Sequence, residues 1–374
     1  MDETAAQAER RQRQVTATVT ALIPAHNEAD QIAAAIACIH AQTRAVDKIV
    51  VLADNCTDNT EAIAAKCGAE VFRTRGNSDK KAGALNQYLN QYLPGAGDDD
   101  QILVIDADSY LDRGFTEVAA HWLARGYGGI GGTFRGRRDP HGRSRRFLSW
   151  WVETVQCNEY ARYDRDVRRK RGRILVLTGT ATLFSVRALR AVVAARRAGH
   201  LPCGPRPEVY DTSVLTEDNE LTLALLHLGW KVRSPRGCTL STEVMPSWRD
   251  LYMQRLRWKR GAMENLGQYG LTKVTAKYWG YQLITLLGML VTSIYLSTIV
   301  YSLVTGSHTL RLHLLWLAVT AIFVTERVVT VRARGWRQML FAACLLPEMV
   351  FDIFLQATHA KALADSLLGT SKSW

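Results

Sequence analysis

Two aspartates separated by one residue have the chemistry to hold a metal ion. Asp106 and Asp108 follow Gln101–Ile105, where four consecutive apolar residues predict a buried parallel strand. In open α/β sheets, ligands bind at the carboxyl ends of such strands. Because Mg²⁺ takes one or two carboxylates together with substrate phosphates, the first hypothesis is a site for a metal and a diphosphate. Such pairs are also common in solvated turns, so the rest of the chain must decide.

Earlier strands deliver polar groups to the same edge. Strands are predicted at residues 16–23 and 48–54; Asn27 and Glu28 follow the first, and Asp54 ends the second. The alternation of strands with helices predicts an α/β fold, with a mixed, mostly parallel sheet flanked by helices. The first turn has no glycine-rich phosphate loop. This disfavours a dinucleotide-binding protein, a P-loop protein and a nucleotidyltransferase.

The connections between these strands carry their own signals. Thr57 is a favourable N-cap residue and predicts a helix over residues 58–67. Residues 77–81 are polar and predict a loop, with a helix over 82–93 after it. Lys81 is therefore expected at the end of a loop.

Two later segments have residues suited to a ligand site. Thr180 lies in a run of small residues, which permits close approach of a ligand. Thr216 is a predicted N-cap, and Glu217 and Asp218 follow it in the first helical turn. Acids there are ordinary partners of the helix dipole. An aspartate that faces a cleft is alternatively a general base.

Gln254, Arg257 and Trp258 share one face of a predicted helix, at spacing i, i+3 and i+4. That face combines hydrogen bonding, positive charge and aromatic stacking, which would suit a substrate. The alternative is a helix beside a membrane, with a tryptophan at the interface.

The net charge of +12 predicts a partner that carries phosphates. Arginine-rich runs at residues 135–146 and 162–173, with Trp150 and Trp151 between them, favour anionic membrane lipid. No recognition fold for nucleic acid is apparent, so no nucleic-acid partner is expected. Seven cysteines without a C-x-x-C pair fit a reducing compartment.

The C-terminal third predicts a membrane region. Residues 281–304 carry no charge and are long enough to cross a bilayer. Residues 312–331 and 338–358 contain charges, so each is a candidate span, re-entrant segment or interfacial helix. Glu348 and Asp352 share a helical face that should look toward protein or water. The predicted division is a mobile polar arm at 1–15 without a signal peptide, a catalytic domain at 16–245, interfacial helices at 246–278 and a membrane region at 279–374.

Together these motifs resemble the membrane-bound family 2 glycosyltransferases with a GT-A fold, such as the cellulose, hyaluronan, chitin and poly-N-acetylglucosamine synthases. The resemblance covers residues 16–265 and implies a GT-A (Rossmann-like) sheet followed by C-terminal interfacial and transmembrane helices. It rests on seven segments in order: Ile23–Glu28, Asp54–Asp58, Lys81–Asn86, Asp106–Asp108, Gly179–Thr182, Thr216–Asp218 and Gln254–Trp258.

The resemblance implies roles at the donor site. Asp54 matches the acid that holds the uracil, and Glu28, with Asn27 beside it, is expected near the nucleoside. Lys81 is expected near the diphosphate. The resemblance further implies a bound Mg²⁺ or Mn²⁺, for which the matching positions are Asp106 and Asp108.

It implies further roles at the transfer site. Asp218 matches the catalytic base, and Thr180 and Glu217 are expected to bind substrate. The residues expected to border the acceptor and the diphosphate are Gln254, Arg257 and Trp258.

The expected function is inverting, metal-dependent transfer from a UDP-sugar to a hydroxyl of a carbohydrate, lipid or protein, with a β-linked product. N-acetylglucosamine or glucose is expected by analogy alone. The catalytic domain is expected in the cytoplasm of a multi-pass membrane protein. Polymer-translocating relatives usually carry transmembrane helices on both sides of this domain, and none precedes residue 279 here. Two enzymatic alternatives therefore stay open: a polysaccharide synthase that works as a homo-oligomer, and a non-processive transferase. The non-enzymatic alternative is a basic membrane scaffold.

Overall fold

The structure is a computed structural model that describes residues 17–138, 147–306 and 314–370. The chain divides into two compact units, with the boundary between Trp248 and Arg249. The predicted N-terminal arm and the basic run at 139–146 lie outside the described residues.

The first unit is an α/β unit. Its strands are β1 (Val19–Ala25), β2 (Lys48–Ala53), β3 (Glu70–Arg73), β4 (Gln101–Ile105), β5 (Tyr110–Leu111), β6 (Tyr127–Gly131), β7 (Thr133–Arg137), β8 (Ala181–Ser185), β9 (Lys231–Arg233) and β10 (Thr239–Glu243). Its helices are α1 (Ile32–His40), α2 (Thr60–Lys66), α3 (Lys80–Tyr92), α4 (Phe115–Leu123), α5 (Phe147–Arg169), α6 (Val186–Arg197) and α7 (Glu217–His227).

The main sheet has the order β3-β2-β1-β4-β8-β6-β9. Strands β3, β2, β1 and β4 are parallel, and β8 runs antiparallel to both β4 and β6. Ala25 at the end of β1 pairs with Ala53 at the end of β2, and Leu22 pairs with Val104 of β4. Because these three strands end together, the polar residues after each of them reach one edge.

Alternating side chains of β1 explain why the sheet forms. Val19, Ala21 and Ile23 are fully buried in a cluster with Ile32 and Ile36 of α1. Those two residues are four apart and therefore occupy one face of the helix. The strand is buried on both faces, as expected for a parallel strand with helices on either side.

Two features of the first unit had no counterpart in the sequence prediction. A strand follows the run of small residues around Thr180 and begins at Ala181. A second sheet of order β5-β10-β7 was not predicted. Its strands are short, and β10 pairs with a strand about a hundred residues away in the chain, so no local pattern indicates it.

Some residues of the arginine-rich runs, and of the tryptophans between them, make contacts inside the first unit. Trp151 makes an edge-to-face contact with Trp248, with ring centroids 5.5 Å apart. Arg135 forms an ion pair with Asp112 at 2.5 Å. Contact of this stretch with lipid stays a prediction.

The second unit is helical. Its elements are α8 (Trp248–Tyr269, which begins at the boundary), α9 (Ala276–Thr305), α10 (Leu314–Val331), a 3₁₀ turn (Arg332–Arg334), α11 (Trp336–Ala343) and α12 (Leu345–Leu368). Among the described residues, α9 alone is by itself long and apolar enough to cross a membrane, and its most apolar window has no buried residue. It contains the predicted span at 281–304.

The predicted segment at 338–358 is a broken helix. Helices α11 and α12 together are long and apolar enough to cross a membrane, but they meet at a bend of 69°. Pro347 explains the break, because its ring would clash with the carbonyl of Ala343 and it has no N–H to donate. It is tolerated in the first turn of α12, where an N–H would lack a partner anyway.

The charged face of α12 finds a partner in α10. Arg327 lies 3.2 Å from Glu348 (Nη1 to Oε2) and 3.1 Å from Asp352 (Nη2 to Oδ2). The Glu348 side chain is fully buried, and that of Arg327 is 15% exposed. This pairing satisfies the expectation that the acidic face looks toward protein.

Removal of Arg327 should destabilise the second unit. Arg327→Ala leaves Glu348 buried without its cation, which typically costs about 3–5 kcal/mol. A lower midpoint of thermal unfolding in detergent is the expected result, with Arg332→Ala, an exposed arginine, as the control. If the double variant Arg327→Met/Glu348→Gln is no more stable than Arg327→Ala, the unpaired charge is not the cause.

Candidate active site

Lys81 joins two polar loops at the carboxyl edge of the sheet. Its ammonium donates to Asp106 Oδ1 at 2.5 Å and to the carbonyl of Gly179 at 2.8 Å. Burial alone would lower the pKa of Lys81, but the charges of Asp106 and Glu217 raise it above the usual value, so the residue stays cationic. The predicted loop position is wrong: α3 begins at Lys80, which places Lys81 in the first helical turn.

Asp218 is held beside Lys81 at the start of α7. Its two carboxylate oxygens accept the N–H groups of Asn219 at 2.8 Å and Gly179 at 2.9 Å. Burial, then the charge of Glu217, raises the pKa of Asp218 to about 6, while Lys81 acts in the opposite sense. Gly179 allows this approach, because a Cβ there would lie 3.2 Å from Asp218 Oδ2. Thr216 is the N-cap residue as predicted, but its side chain makes no capping hydrogen bond.

A pocket lies between these residues. It opens beside the acids Glu217 and Asp218 and the cation of Lys81. The remaining lining residues are mostly apolar or small: Val104, Leu177, Thr178, Gly179, Thr182, Phe184 and Tyr210.

A second group of acidic side chains interacts electrostatically. Burial, followed by the charges of Asp108 and Glu243, raises the pKa of Glu28 to about 7. Burial and the charge of Asp106 likewise raise the pKa of Asp108 to about 6. Part of each shift comes from repulsion between the deprotonated acids, and a bound cation would relieve that part.

The donor set suits a hard divalent cation. Asp106 and Asp108 offer carboxylate oxygens, which Mg²⁺ and Mn²⁺ prefer. The described residues contain no cluster of three or more His, Cys, Asp or Glu arranged around a metal position. Two carboxylates still fit, because substrate phosphates and water complete the coordination of Mg²⁺ in many sites.

The loops after β1 and β2 are joined to each other. Asn27 has a left-handed backbone (φ 58°), and its Oδ1 accepts the N–H of Thr57 at 2.8 Å. Asp54 is buried and accepts a hydrogen bond from Thr74 Oγ1 at 2.8 Å. Thr57 was predicted as an N-cap, but α2 begins at Thr60, and the Thr57 amide serves this junction instead.

The family profile described as glycosyltransferase like family 2 matches residues 17–261, more than half of the chain. The chain belongs to glycosyltransferase family 2.

Two curated relatives agree with this assignment. A probable glycosyltransferase, YdaM, of Bacillus subtilis (strain 168) is 27% identical over 277 residues, which cover 70% of this chain and 58% of that protein. An N-acetylglucosaminyltransferase of Azorhizobium caulinodans is 23% identical over 297 residues, covering 74% and 70% of the two chains. The match to YdaM thus spans less than two thirds of that relative's length.

A solved structure supports the fold. The mannosyltransferase PcManGT from Pyrobaculum calidifontis, in complex with GDP-Man and Mn²⁺, superposes with a TM-score of 0.56 at 15% identity, covering 98% of both chains. The prediction of a GT-A fold with a mixed, mostly parallel sheet is confirmed.

The Gln254-x-x-Arg257-Trp258 motif of this family 2 chain lies on α8, in the second unit. Gln254 and Trp258 are half-buried and Arg257 is exposed. The guanidinium of Arg255 stacks over the Trp258 ring at 4.4 Å. The contacts with acceptor and diphosphate expected of Gln254, Arg257 and Trp258 stay predictions.

Thr180 contributes its backbone to the site. Its carbonyl accepts the N–H of Asp106 at 3.0 Å, so the backbone of Thr180 helps to fix Asp106. Its hydroxyl is enclosed and has no hydrogen-bond partner among the described residues. Substrate binding by Thr180 and Glu217 is untested.

Sequence reasoning missed residues that surround the acids of this family 2 site. Arg137 donates to the carbonyl of Asp108 at 3.0 Å and to Gln31 Oε1 at 2.7 Å, and Gln31 in turn donates to Glu243 at 2.8 Å. Glu243 and Arg137 belong to the unpredicted second sheet. The sequence held no signal for these contacts, since four distant segments meet there.

Proposed function

We propose that this chain transfers a sugar from a UDP-sugar to a hydroxyl acceptor, with inversion at the anomeric carbon. The observation that carries the proposal is one pocket that holds the Asp218 carboxylate beside Lys81, which is itself bound to Asp106. A base and a cationic phosphate-binding group are therefore side by side. Family membership and the names of the relatives support transfer of a sugar.

The residues divide the reaction between them. The acceptor oxygen forms a bond to the anomeric carbon, the bond from that carbon to the diphosphate breaks, and UDP leaves. The acceptor proton passes to Asp218, which is deprotonated at neutral pH because its pKa is about 6. A single displacement inverts configuration, so an α-linked donor gives a β-linked product.

Charge on the diphosphate needs a counterpart. Asp106 and Asp108 would hold Mg²⁺ or Mn²⁺, which supplies neutralisation of the leaving diphosphate when bound. Lys81 adds a fixed cation at the same edge, and the salt bridge to Asp106 keeps its side chain in place. Asp54, Glu28 and Asn27 are proposed for the nucleoside.

Release of UDP tests the proposal. The purified full chain in detergent should release UDP from one of UDP-glucose or UDP-N-acetylglucosamine in the presence of Mn²⁺ or Mg²⁺, and EDTA should stop it. GDP-mannose belongs in the panel because PcManGT was solved with GDP-Man. Release of GDP only would contradict the choice of uridine, and no release from any sugar nucleotide would contradict the enzyme.

We further propose that α9 crosses a membrane, with the first unit in the cytoplasm and anionic lipid beside it. The exposed apolar surface of α9 supports this. Both addition of one sugar to a carbohydrate, lipid or protein and polymer synthesis by a homo-oligomer fit this proposal. Sizing of the radiolabelled product distinguishes the two, since a long polymer would contradict single addition.

A further inference from the structure

The segment between α6 and α7 is fastened to α3. The Tyr210 N–H donates to Asn86 Oδ1 at 2.9 Å, and Asn86 Nδ2 donates to the Tyr210 carbonyl at 2.8 Å. Asn86 is 2% exposed. One turn further along α3, Asn90 donates to Glu208 Oε1 at 2.8 Å, and Asn86 reaches the other oxygen of Glu208 at 2.9 Å.

This fastening places Tyr210 relative to the reacting groups. Helix α3 carries Lys81 in its first turn and Asn86 about one and a half turns later. Because Asn86 holds the Tyr210 backbone, this one helix positions both Lys81 and Tyr210. Tyr210 lines the same pocket as Lys81 and Asp218. Two backbone hydrogen bonds to one buried side chain leave the Tyr210 backbone little freedom.

The Tyr210 hydroxyl is left available. The side chain is 4% exposed, yet its hydroxyl makes no hydrogen bond to any described residue and is not among the fully enclosed polar atoms. Burial, together with the charges of Glu217 and Asp218, raises the pKa of Tyr210 well above its usual value. The hydroxyl therefore keeps its proton and is a hydrogen-bond donor.

The pocket beside it has an apolar wall. Val104, Leu177 and Phe184 are each at most 4% exposed and line it together with Tyr210. A hexose offers apolar C–H groups and hydroxyl oxygens at once, so a wall of this kind with one phenol donor matches its chemistry.

We propose that Tyr210 binds the transferred hexose of the sugar nucleotide, with its hydroxyl donating to a sugar oxygen, and that Asn86 positions it. This inference rests on the proposed function and adds a residue that recognises the sugar. Tyr210 lies outside the motifs that identified the family.

Tyr210→Phe separates sugar contact from other roles, because it keeps the ring and removes only the hydroxyl. We expect kcat/KM to fall about 5- to 10-fold for whichever of UDP-glucose or UDP-N-acetylglucosamine the wild type hydrolyses. The Kd for UDP alone should stay within about twofold of the wild-type value. Tyr92→Phe is the matched control, since it removes a tyrosine hydroxyl from α3, the helix that holds the Tyr210 backbone, at a position where the hydroxyl contacts Thr20 at 3.4 Å.

Asn86→Ala tests the positioning role. Its kcat/KM should fall at least as far as that of Tyr210→Phe, and adding Tyr210→Phe to Asn86→Ala should cause little further loss, because the hydroxyl is already misplaced. Independent, multiplying losses would overturn the link between the two residues. Thermal unfolding of each variant shows whether it is folded.

The other outcomes are equally decisive. Equal kcat/KM for Tyr210→Phe and Tyr92→Phe, in an active enzyme, overturns the inference and leaves the proposed function intact. A parallel loss of UDP affinity, or a rise confined to the KM for an acceptor, also overturns the assignment to the donor sugar. If the wild type releases no nucleotide from any sugar nucleotide, the proposed function itself fails.

Discussion

Asp218→Asn should lower kcat by about 10²–10⁴-fold, while the Kd for UDP stays within twofold of the wild-type value. The amide keeps the size of the side chain, and its single oxygen can still accept one of the two N–H groups, from Gly179 or from Asn219, that the two carboxylate oxygens accept in the wild type. It cannot take a proton from an acceptor hydroxyl. Steady-state kinetics and calorimetric titration of UDP measure the two quantities separately.

A matched control removes a carboxylate elsewhere. Asp98 lies before β4, at the opposite edge of the sheet, and is exposed in an ion pair with Arg190. Asp98→Asn should leave both kcat and UDP affinity unchanged. Wild-type turnover by Asp218→Asn would show that another group is the base.

The pH profile gives a second test of the same base. Since the pKa of Asp218 is raised to about 6, activity requires a pH above that value, and kcat should fall about tenfold per unit below it. The residual activity of Asp218→Asn should not show this fall at acidic pH. Saturating Mn²⁺ is needed throughout, because Asp108 also has a pKa of about 6. A flat wild-type profile from pH 5 to 8 would contradict the assignment.

Asp108→Asn should abolish the metal response, with a fall of about 10²–10³-fold in kcat/KM at saturating Mn²⁺. The amide oxygen is a weaker ligand than a carboxylate, so neutralisation of the diphosphate is lost. Mn²⁺ should also stop increasing the affinity for UDP, which calorimetry measures without turnover.

Thermal unfolding supplies a readout independent of activity. The folded-state pKa of Asp108 is raised, so its charged form destabilises the metal-free fold at pH 7, and Asp108→Asn should raise Tm in EDTA. The same variant should lose the rise in Tm that Mn²⁺ and UDP give the wild type. Asp99→Asn, an exposed acid paired with Arg187, is the control for both effects. A normal response to Mn²⁺ in Asp108→Asn would contradict a role as ligand.

The sequence by itself determined where the acids gather. Apolar runs fixed the parallel strands, and the residue after each strand then had to lie at one edge, because β1, β2 and β4 end together. Asn27, Asp54 and Asp106 were placed correctly for this reason. The family also followed from the sequence, because its motifs are short segments in a set order.

Local boundaries were less well determined. Thr57 has the chemistry of an N-cap, yet its amide bonds to Asn27, thirty residues earlier, and α2 begins at Thr60. A helix start depends on the partner that each exposed N–H finds, and here the partner lies in another loop. Lys81 likewise lies inside α3, and its salt bridge to Asp106 joins two segments that only the fold brings together.

Only the tertiary structure decided the long-range partners. Three such contacts join residues from different parts of the structure. They are the hydrogen bond from Gln31 to Glu243, the hydrogen bond from Asn86 to Tyr210 and the ion pair of Arg327 with Glu348. Periodicity and capping signals report the neighbours within a few residues, whereas these contacts depend on how whole elements pack. The residues that shape the pocket around the chemistry therefore became visible only in three dimensions.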